Sequence, residues 1–357
     1  GMAENPFTPF PRITRCTMNK ARLAFLCSLL AIIVGLAASP AFCDDGWKLV
    51  MNKNGIKAYM REVPGSPIKE VRAVATMDAT LENIGELLRD TPACLEWLPY
   101  CKQAEVLKTY HRNKMDLYYL LSPPWPVKNR DLVINSDTFY DLDAGRAIVN
   151  LTATQVPCVP ETNDAIRIKD FSGQYVFEYI DRNRTGVIYT YRVDMAGAIP
   201  AFVMNIMGKY TLYDTIQNLR RMVKLQKYID LAKKSPDREI CESILNDKDK
   251  VRNVFRTRLG EFIGDKKFVD EISSDDDMLA CFFSSKTGLS EILLYGWGSD
   301  ESKKKAISAL LTNWLPKKVG NNPKLVEKMA KDKVLVDAIL TGNGNALAIV
   351  ESYAKKA

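Results

Sequence analysis

Histidine is nearly absent from this chain of 357 residues, in which His111 is the single one. Histidine is the usual side chain for proton transfer near neutral pH and the commonest metal ligand. A Ser-His-Asp or Cys-His enzyme, or a site with several histidine ligands, would have to be built around this one residue. The sequence therefore argues against both classes, and it predicts no metal and no cofactor.

Two further absences concern nucleotides and nucleic acids. The patterns GxGxxG and GxxxxGK[ST] do not occur, so no phosphate-binding loop of either type is predicted. The formal net charge is +7, but the basic residues form no long run, which gives nucleic-acid binding little support. With 46% hydrophobic and 26% charged residues, the chain has the composition of a folded protein, and its length predicts about two domains.

Residues 1–43 have the pattern of a leader. A short basic stretch precedes an uncharged apolar run of 16 residues, Leu23 to Ala38. This run is just below the ~17–25 residues that span a bilayer as a helix. We interpret it as a secretory signal peptide, with an uncleaved membrane anchor as the alternative. The mature protein is therefore expected to be exported, to the periplasm or the cell exterior.

Export would place the chain in an oxidising compartment, where disulfides are permitted. Five of the eight cysteines lie after the leader, and their spacing resembles no zinc pattern. Two bridges are conceivable, one between Cys94 and Cys101 and one between Cys241 and Cys281. The alternative is that these residues are buried free thiols that pack as small apolar side chains.

The mature chain changes character at the polar stretch Lys233-Lys234-Ser235-Pro236-Asp237, which is the best domain boundary. Residues 44–234 contain about nine strand-like runs, a short helix capped by Thr80, and a long helix predicted from Ala201 to about Ala232. This order predicts an α+β fold with a curved antiparallel sheet. Residues 235–357 have helical patterns throughout and form a second domain of unknown role.

The segment from Pro123 to Asp131, PPWPVKNRD, is the most distinctive part of the sequence. Its three prolines interrupt strand pairing, so the chain is expected to turn sharply and to resume as a strand at Asp131. Arg130 and Asp131 would point to opposite faces of that strand. One of them could face the interior and would then need a partner, because an unpaired buried charge is costly. The alternative is two solvated charges at a strand end.

At these residues the chain resembles a START domain, the steroidogenic acute regulatory-related lipid-transfer family, from about Trp47 to Tyr228. The likeness depends mainly on PWPVKNRD and on Gly197-Ala198-Ile199-Pro200 before the last helix, with shorter matches at Glu96-Trp97 and at Tyr189 to Asp194. The resemblance implies the helix-grip fold, in which a sheet curves around a long C-terminal helix. It also implies an internal tunnel for one apolar ligand, with that helix and nearby loops as a lid.

The resemblance also bears on the ligand. Family members that bind phosphatidylcholine have an Arg before the Trp that ends the first helix and an Asp just after it, and Cys94 and Leu98 stand at these positions here. This departure favours a neutral lipid, sterol-like or fatty acyl, over a zwitterionic head group. The residues predicted to contact the ligand are Trp97, Leu98, Tyr119, Trp125, Arg130, Tyr189, Tyr191, Met195, Phe202, Val203, Ile206, Met207 and Tyr210.

Three functions fit the sequence. The first is an exported lipid-binding or lipid-transfer protein that meets a membrane surface transiently and is not an enzyme. The second is a cyclase or aromatase on the same fold, which would need convergent polar groups in the pocket, such as Arg130, Asp131, Tyr119, Tyr189 and Arg192. The third is a scaffold that binds a protein partner through residues 235–357.

Overall fold

The first part of the chain forms one sheet in the computed structural model, which describes residues 46–141, 144–154, 159–283 and 300–355. Its strands are β1 (Lys48–Lys53), β2 (Ile56–Val63), β3 (Ser66–Met77), β4 (Cys101–His111), β5 (Lys114–Leu121), β6 (Arg130–Asp141), β7 (Arg146–Ala153), β8 (Ile166–Arg167), β9 (Asp170–Asp181) and β10 (Arg184–Asp194). The order across the sheet is β1-β2-β3-β10-β9-β7-β6-β5-β4, with neighbours antiparallel, and β8 pairs in parallel with β6. The predicted α+β class and curved antiparallel sheet are confirmed.

Four helices accompany the sheet: α1 (Leu81–Arg89), α2 (Cys94–Trp97), α3 (Ala201–Met222) and α4 (Gln226–Ala232). The predicted cap is present, because the Thr80 side chain accepts a hydrogen bond from the backbone N–H of Asn83. The prediction of one helix from Ala201 to Ala232 is wrong, since the chain turns between α3 and α4. This turn directs Tyr228 into the core, where its hydroxyl donates to Asp90 Oδ2 at 2.8 Å.

The two faces of the central strands are both buried. Along β9, Tyr175 and Phe177 point to the interior between the sheet and α3, whereas Val176 and Glu178 point outward. Val176 belongs to a small outer cluster that also contains Trp47. The outer face of the sheet is therefore covered as well, which explains why the residues from Tyr175 to Ile180 are buried at consecutive positions rather than at alternate ones.

The rest of the chain is helical, with helices α5 (Asp237–Asn246), α6 (Lys248–Gly260), α7 (Lys266–Ser274), α8 (Asp276–Phe283), α9 (Asp300–Val319), α10 (Pro323–Ala330), α11 (Lys333–Thr341) and α12 (Ala346–Ala354). We call residues 235–357 the C-terminal module. It has its own hydrophobic core, in which the ring of Phe268 meets Trp314 edge-on at 5.4 Å. Among the described helices, none combines the length and apolar character of a membrane span. The leader and a helix predicted at Leu289–Tyr295 lie outside the described residues.

The C-terminal module packs against the outer face of the sheet. Arg258 Nη1 lies 2.5 Å from Glu178 Oε2, and both side chains are almost fully buried. Close to this pair, Gly145 adopts φ +59°, and a Cβ there would lie 2.9 Å from Val254 of α6. Residues 44–357 accordingly form one compact unit, although its two parts have separate cores. The domain boundary at residue 234 stays a prediction.

The buried Glu178–Arg258 pair generates a stability prediction. Glu178→Gln leaves the Arg258 guanidinium buried without a counter-charge, so we expect the free energy of unfolding to fall by about 3 kcal/mol or more. Replacing both partners with apolar residues, as Glu178→Leu with Arg258→Met, should recover most of this loss, because neither side chain is then left charged. Urea denaturation followed by tryptophan fluorescence measures both changes.

The matched control is Glu242→Gln, which removes the same group from the exposed pair with Arg238 and should have a much smaller effect. Equal stabilities of Glu178→Gln and the unmodified protein would show that the pair does not hold the module on the sheet.

Candidate functional site

An apolar cavity of about 170 Å³ lies between the sheet and α3. Its walls come from β5, β6, β7, β9 and β10, its cover comes from α3, and residues 97–100 and Pro123 border it. No charged side chain is found among its described lining residues. A cavity of this size and polarity resembles engineered apolar cavities of about 150 Å³, which stay free of water and bind small apolar molecules.

Stacked aromatic side chains form the wall opposite α3. Tyr175 and Tyr189 are neighbours across the β9–β10 pairing, and their rings stack with centroids 3.8 Å apart. Burial raises the pKa of both hydroxyls well above the usual tyrosine value, so they remain neutral. On the β5 wall, the Tyr119 hydroxyl lies 3.8 Å from Cys94 Sγ. The wall thus offers large apolar surfaces and a few neutral hydroxyl groups.

One face of α3 covers the cavity. Its lining residues are Met204, Met207, Gly208, Thr211 and Thr215. Tyr191 fastens this helix to the sheet, because its hydroxyl donates to the carbonyl oxygen of Gly208 at 3.0 Å. The approach is close, since a Cβ on Gly208 would lie 3.4 Å from Val71. The two methionines are unbranched and flexible, and such side chains adapt to ligands of varied shape.

Seven of the predicted contact residues line this cavity: Trp97, Leu98, Tyr119, Tyr189, Tyr191, Met195 and Met207. They come from four separate parts of the chain that the fold brings together. Because the structure holds no ligand, their contact with one stays a prediction.

Five other predicted residues lie outside the lining, and four of them face solvent. Trp125 is 92% exposed and Phe202 is 66% exposed, while Ile206 and Tyr210 are about half exposed. Val203 is partly buried but does not border the cavity. The first half of α3 is apolar on both sides, so hydrophobicity alone could not indicate which side faces inward. The face through Phe202, Ile206 and Tyr210 is the exposed one, and its contact with a ligand stays a prediction.

Arg130 is buried but also does not line the cavity. Its guanidinium donates to the backbone carbonyls of Lys128, Met195 and Ala196, so it joins the loop before α3 to the start of β6. Asp131 is buried on the other side of the strand, where Arg167 binds it through two hydrogen bonds of 2.9 and 2.7 Å. Both adjacent charges are therefore partnered inside the protein, and the solvated alternative is wrong.

The sequence prediction omitted several lining residues, including Met204, Thr211 and Thr215. These positions lie three before, four after and eight after Met207, so a helical face drawn through Met207 would have found them. Tyr175 and Ser136 were also omitted. They lie on strands for which the sequence alone does not show which alternate residues point to the interior. That depends on the register of strand pairing.

Neither conceivable disulfide is present among the described cysteines Cys94, Cys101, Cys241 and Cys281. Cys94 and Cys241 are buried in the core of the first part, whereas Cys281 packs against the core of the C-terminal module. The alternative of buried or partly buried thiols is therefore the one that the structure contains.

The fold and the cavity define a helix-grip protein, in which a long helix closes an uncharged space inside a curved sheet. Comparison with known families gives the particular class. A family model described as START domain matches residues 36–229, more than half of the chain. The chain therefore belongs to the START domain family, whose members are lipid-transfer proteins and in general not enzymes.

Individual relatives are distant. A Pseudomonas aeruginosa protein described as uncharacterized protein PA1579 is 29% identical over 192 residues, covering 54% of this chain and 93% of that protein. The phosphatidylcholine transfer protein of Rattus norvegicus is 25% identical over 174 residues, covering 48% of this chain and 80% of that protein. A solved StAR-related lipid transfer protein fragment from Xanthomonas axonopodis is 31% identical with a TM-score of 0.45, covering 51% of this chain and 100% of that fragment.

The free thiols near the cavity generate a reactivity prediction. Burial raises the pKa of Cys94 to about 12 and that of Cys101 to about 11, from an ordinary value of 9.0. At pH 8 the Cys101 thiolate is therefore about a hundredfold scarcer than in an exposed cysteine. We expect iodoacetamide to label both thiols slowly, with a rate that rises as the pH approaches 11, as measured by peptide mass spectrometry.

The urea-unfolded protein is the control, and both residues should be labelled rapidly in it. A cross-linked peptide that joins Cys94 to Cys101 in the folded protein would instead establish the bridge.

Proposed function

We propose that this protein is an exported carrier that holds one neutral apolar ligand, such as a sterol-like compound or a fatty acyl lipid, between the sheet and α3. The observation that supports this most directly is the uncharged cavity, bordered by stacked aromatic rings on one side and by Met204 and Met207 on the other. Each buried CH₂ group contributes about 0.8 kcal/mol. A closed apolar cavity can thus replace the membrane as the solvent of a lipid.

The chemistry of the cavity favours a neutral ligand. The name of the rat relative refers to phosphatidylcholine, but in this chain Cys94 is buried against Tyr119 and Leu98 lines the cavity. Neither position offers a charge to a phosphate or a choline group. Burying an uncompensated charge in such surroundings is costly, whereas a hydroxyl or ester needs only one or two hydrogen bonds.

Loading would require α3 to move. Pockets for drug-sized ligands usually measure about 300–1,000 Å³, which is more than the 170 Å³ found here. The first half of α3 suits such movement, because the buried residues of this helix begin only at Leu212. An outward shift of residues 201–211 would enlarge the cavity and leave the second half of the helix anchored in the core.

An exposed apolar area lies at the entrance of the cavity. We define the mouth surface as Tyr100, Trp125, Phe202, Ile206 and Tyr210, all of which are exposed. Its parts are joined, since the backbone N–H of Ser122 donates to the carbonyl of Tyr100 and the Arg130 side chain ties Lys128 to the loop that precedes α3. Aromatic residues flanked by Lys128 and Lys209 suit the interface of a membrane with anionic lipids.

The other functions have less support. For the cyclase, Arg130, Asp131 and Arg192 do not line the cavity and already have hydrogen-bond partners, which leaves Tyr119 and Tyr189 as the polar residues of that set in the lining. His111 is exposed at the β4–β5 turn, outside the cavity lining. Protein binding through the C-terminal module stays a prediction. Export is proposed on the leader-like pattern of residues 1–43 alone.

Filling the cavity tests the carrier function. Met207→Trp places a bulky ring in the lining in place of a flexible thioether, and the overpacking should lower lipid affinity about tenfold or more. Native mass spectrometry of the purified protein detects bound lipid, and uptake of a fluorescent fatty acyl lipid measures affinity. Asp214→Trp is the matched control, because it adds the same ring at an exposed position of the same helix, away from the cavity lining and the mouth surface, and should leave uptake unchanged.

Equal lipid uptake by Met207→Trp and the unmodified protein would place the ligand elsewhere. Failure of the unmodified protein to take up any lipid would exclude the carrier function.

The mouth surface generates a separate prediction about kinetics. The double variant Trp125→Ala, Phe202→Ala removes two large exposed side chains, so transfer of lipid from anionic vesicles should slow about tenfold. The amount of lipid bound at equilibrium should not change, since neither residue lines the cavity. Val334→Ala is the control, because it removes another exposed apolar side chain from the C-terminal module. Unaltered transfer by the double variant would show that the membrane is met at another surface.

A further inference from the structure

A second, smaller cavity adjoins the main one. It measures about 60 Å³, enough for a water molecule or a small polar group. The side chains that line both cavities are Leu88, Leu117, Ser136 and Val149. Asp237 and Cys241 of α5 also line the smaller cavity, which we call the inner compartment. These two residues lie beyond residue 229, where the match to the START model ends.

The inward face of β6 changes from apolar to polar between the two cavities. Ile134 lines the main cavity, Ser136 lines both, and Thr138 and Tyr140 line the inner compartment. These alternate residues share one face of the strand. Burial raises the pKa of Tyr140 to about 12, so its hydroxyl stays protonated. A ligand that extends inward along β6 would therefore meet apolar side chains first and hydroxyl groups at its end.

A cluster of four charges closes the inner compartment. Arg89 Nη2 lies 2.8 Å from Asp237 Oδ2 and donates to the Tyr140 hydroxyl, while Arg89 Nη1 lies 3.4 Å from Glu86 Oε1. Arg112 contacts Glu86 as well and lies 3.4 Å from Asp237 Oδ2. The cluster contains two guanidinium groups and two carboxylates, so its formal charge is zero. The C-terminal module supplies one of the two carboxylates, and that carboxylate is buried.

We infer that α5 completes the ligand site and that the inner compartment takes a neutral hydrogen-bonding end of the ligand, such as a hydroxyl or carbonyl group. This inference rests on the proposed carrier function and adds an orientation to it, with the polar end innermost. A hydroxyl can bond to Ser136, Thr138 or Tyr140 without disturbing the ion pairs. A ligand carboxylate would instead lie near two carboxylates whose guanidinium partners are already engaged.

Asp237→Asn tests the inference, because it removes one negative charge from the cluster and keeps the side-chain shape. The probes are dodecanol and dodecanoate, which differ only in their polar end. We expect the native protein to bind the alcohol more tightly than the acid. In the variant the cluster has a net positive charge, so the ratio of acid to alcohol affinity should rise about tenfold or more.

Calorimetric titration measures both affinities. Asp230→Asn is the matched control, since it removes one carboxylate from the exposed surface of α4 and should leave the ratio unchanged. A folded Asp237→Asn variant with the native ratio would overturn the inference while the carrier function stands. A native protein that binds neither probe would overturn the carrier function, and the inference with it.

A second variant decides the matter if Asp237→Asn does not fold. Tyr140→Phe deletes one hydroxyl from the inner compartment and keeps the ring. We expect it to lower the affinity for dodecanol about three- to tenfold. Tyr110→Phe is its control, because it deletes a hydroxyl on the edge strand β4 that donates to Asp116, outside the lining of both cavities. Unchanged affinity of Tyr140→Phe for dodecanol would also overturn the inference.

Discussion

The exclusion of unpaired charge from the interior is the constraint on which the rest of this structure depends. In this sheet, charged residues stand near a strand end, as Asp131 does, and at the contact with the C-terminal module, as Glu178 does. An unpaired buried ion is costly. Each such residue is given a partner that turns it away from the main cavity, as Arg167 does for Asp131 and Arg258 does for Glu178. The space that remains between sheet and helix is bordered only by neutral groups, which is the property that a site for an apolar ligand requires.

The cover of this space must both close it and open it. The second half of α3 is buried in the core, whereas residues 201–211 lie over the cavity with apolar side chains on both sides. Segments with little burial open locally at low free-energy cost. The same half of the helix that borders the cavity through Met204 and Met207 presents Phe202 and Ile206 outward. Contact with a membrane would stabilise that outward face and could therefore favour the open arrangement.

Much of the fold could be predicted from the sequence, because turn residues and alternating patterns fix most strands locally. The break between α3 and α4 could not, since it arises from the burial of Tyr228 against Asp90, a contact between distant parts of the chain. The site was predicted in part for the same reason. Trp97 and Tyr189 belong to recognisable motifs. The inward face of α3 could not be predicted, because the first half of this helix is apolar on both sides and only its packing decides which side faces the cavity. Nothing in the sequence indicated that Asp237 reaches the cavity region.

Two of the contacts between the C-terminal module and the first part of the chain have different consequences. On the outer face of the sheet it supplies Arg258 to Glu178, which affects stability because both groups are buried. At the inner end it supplies Asp237 to Arg89 and Arg112, which sets the charge next to the ligand space. Without this module Glu178 would lose its counter-ion, and two guanidinium groups would share the single carboxylate of Glu86. Helix α5 is therefore physically part of the wall of the inner compartment, which the sheet and the helices before it leave incomplete.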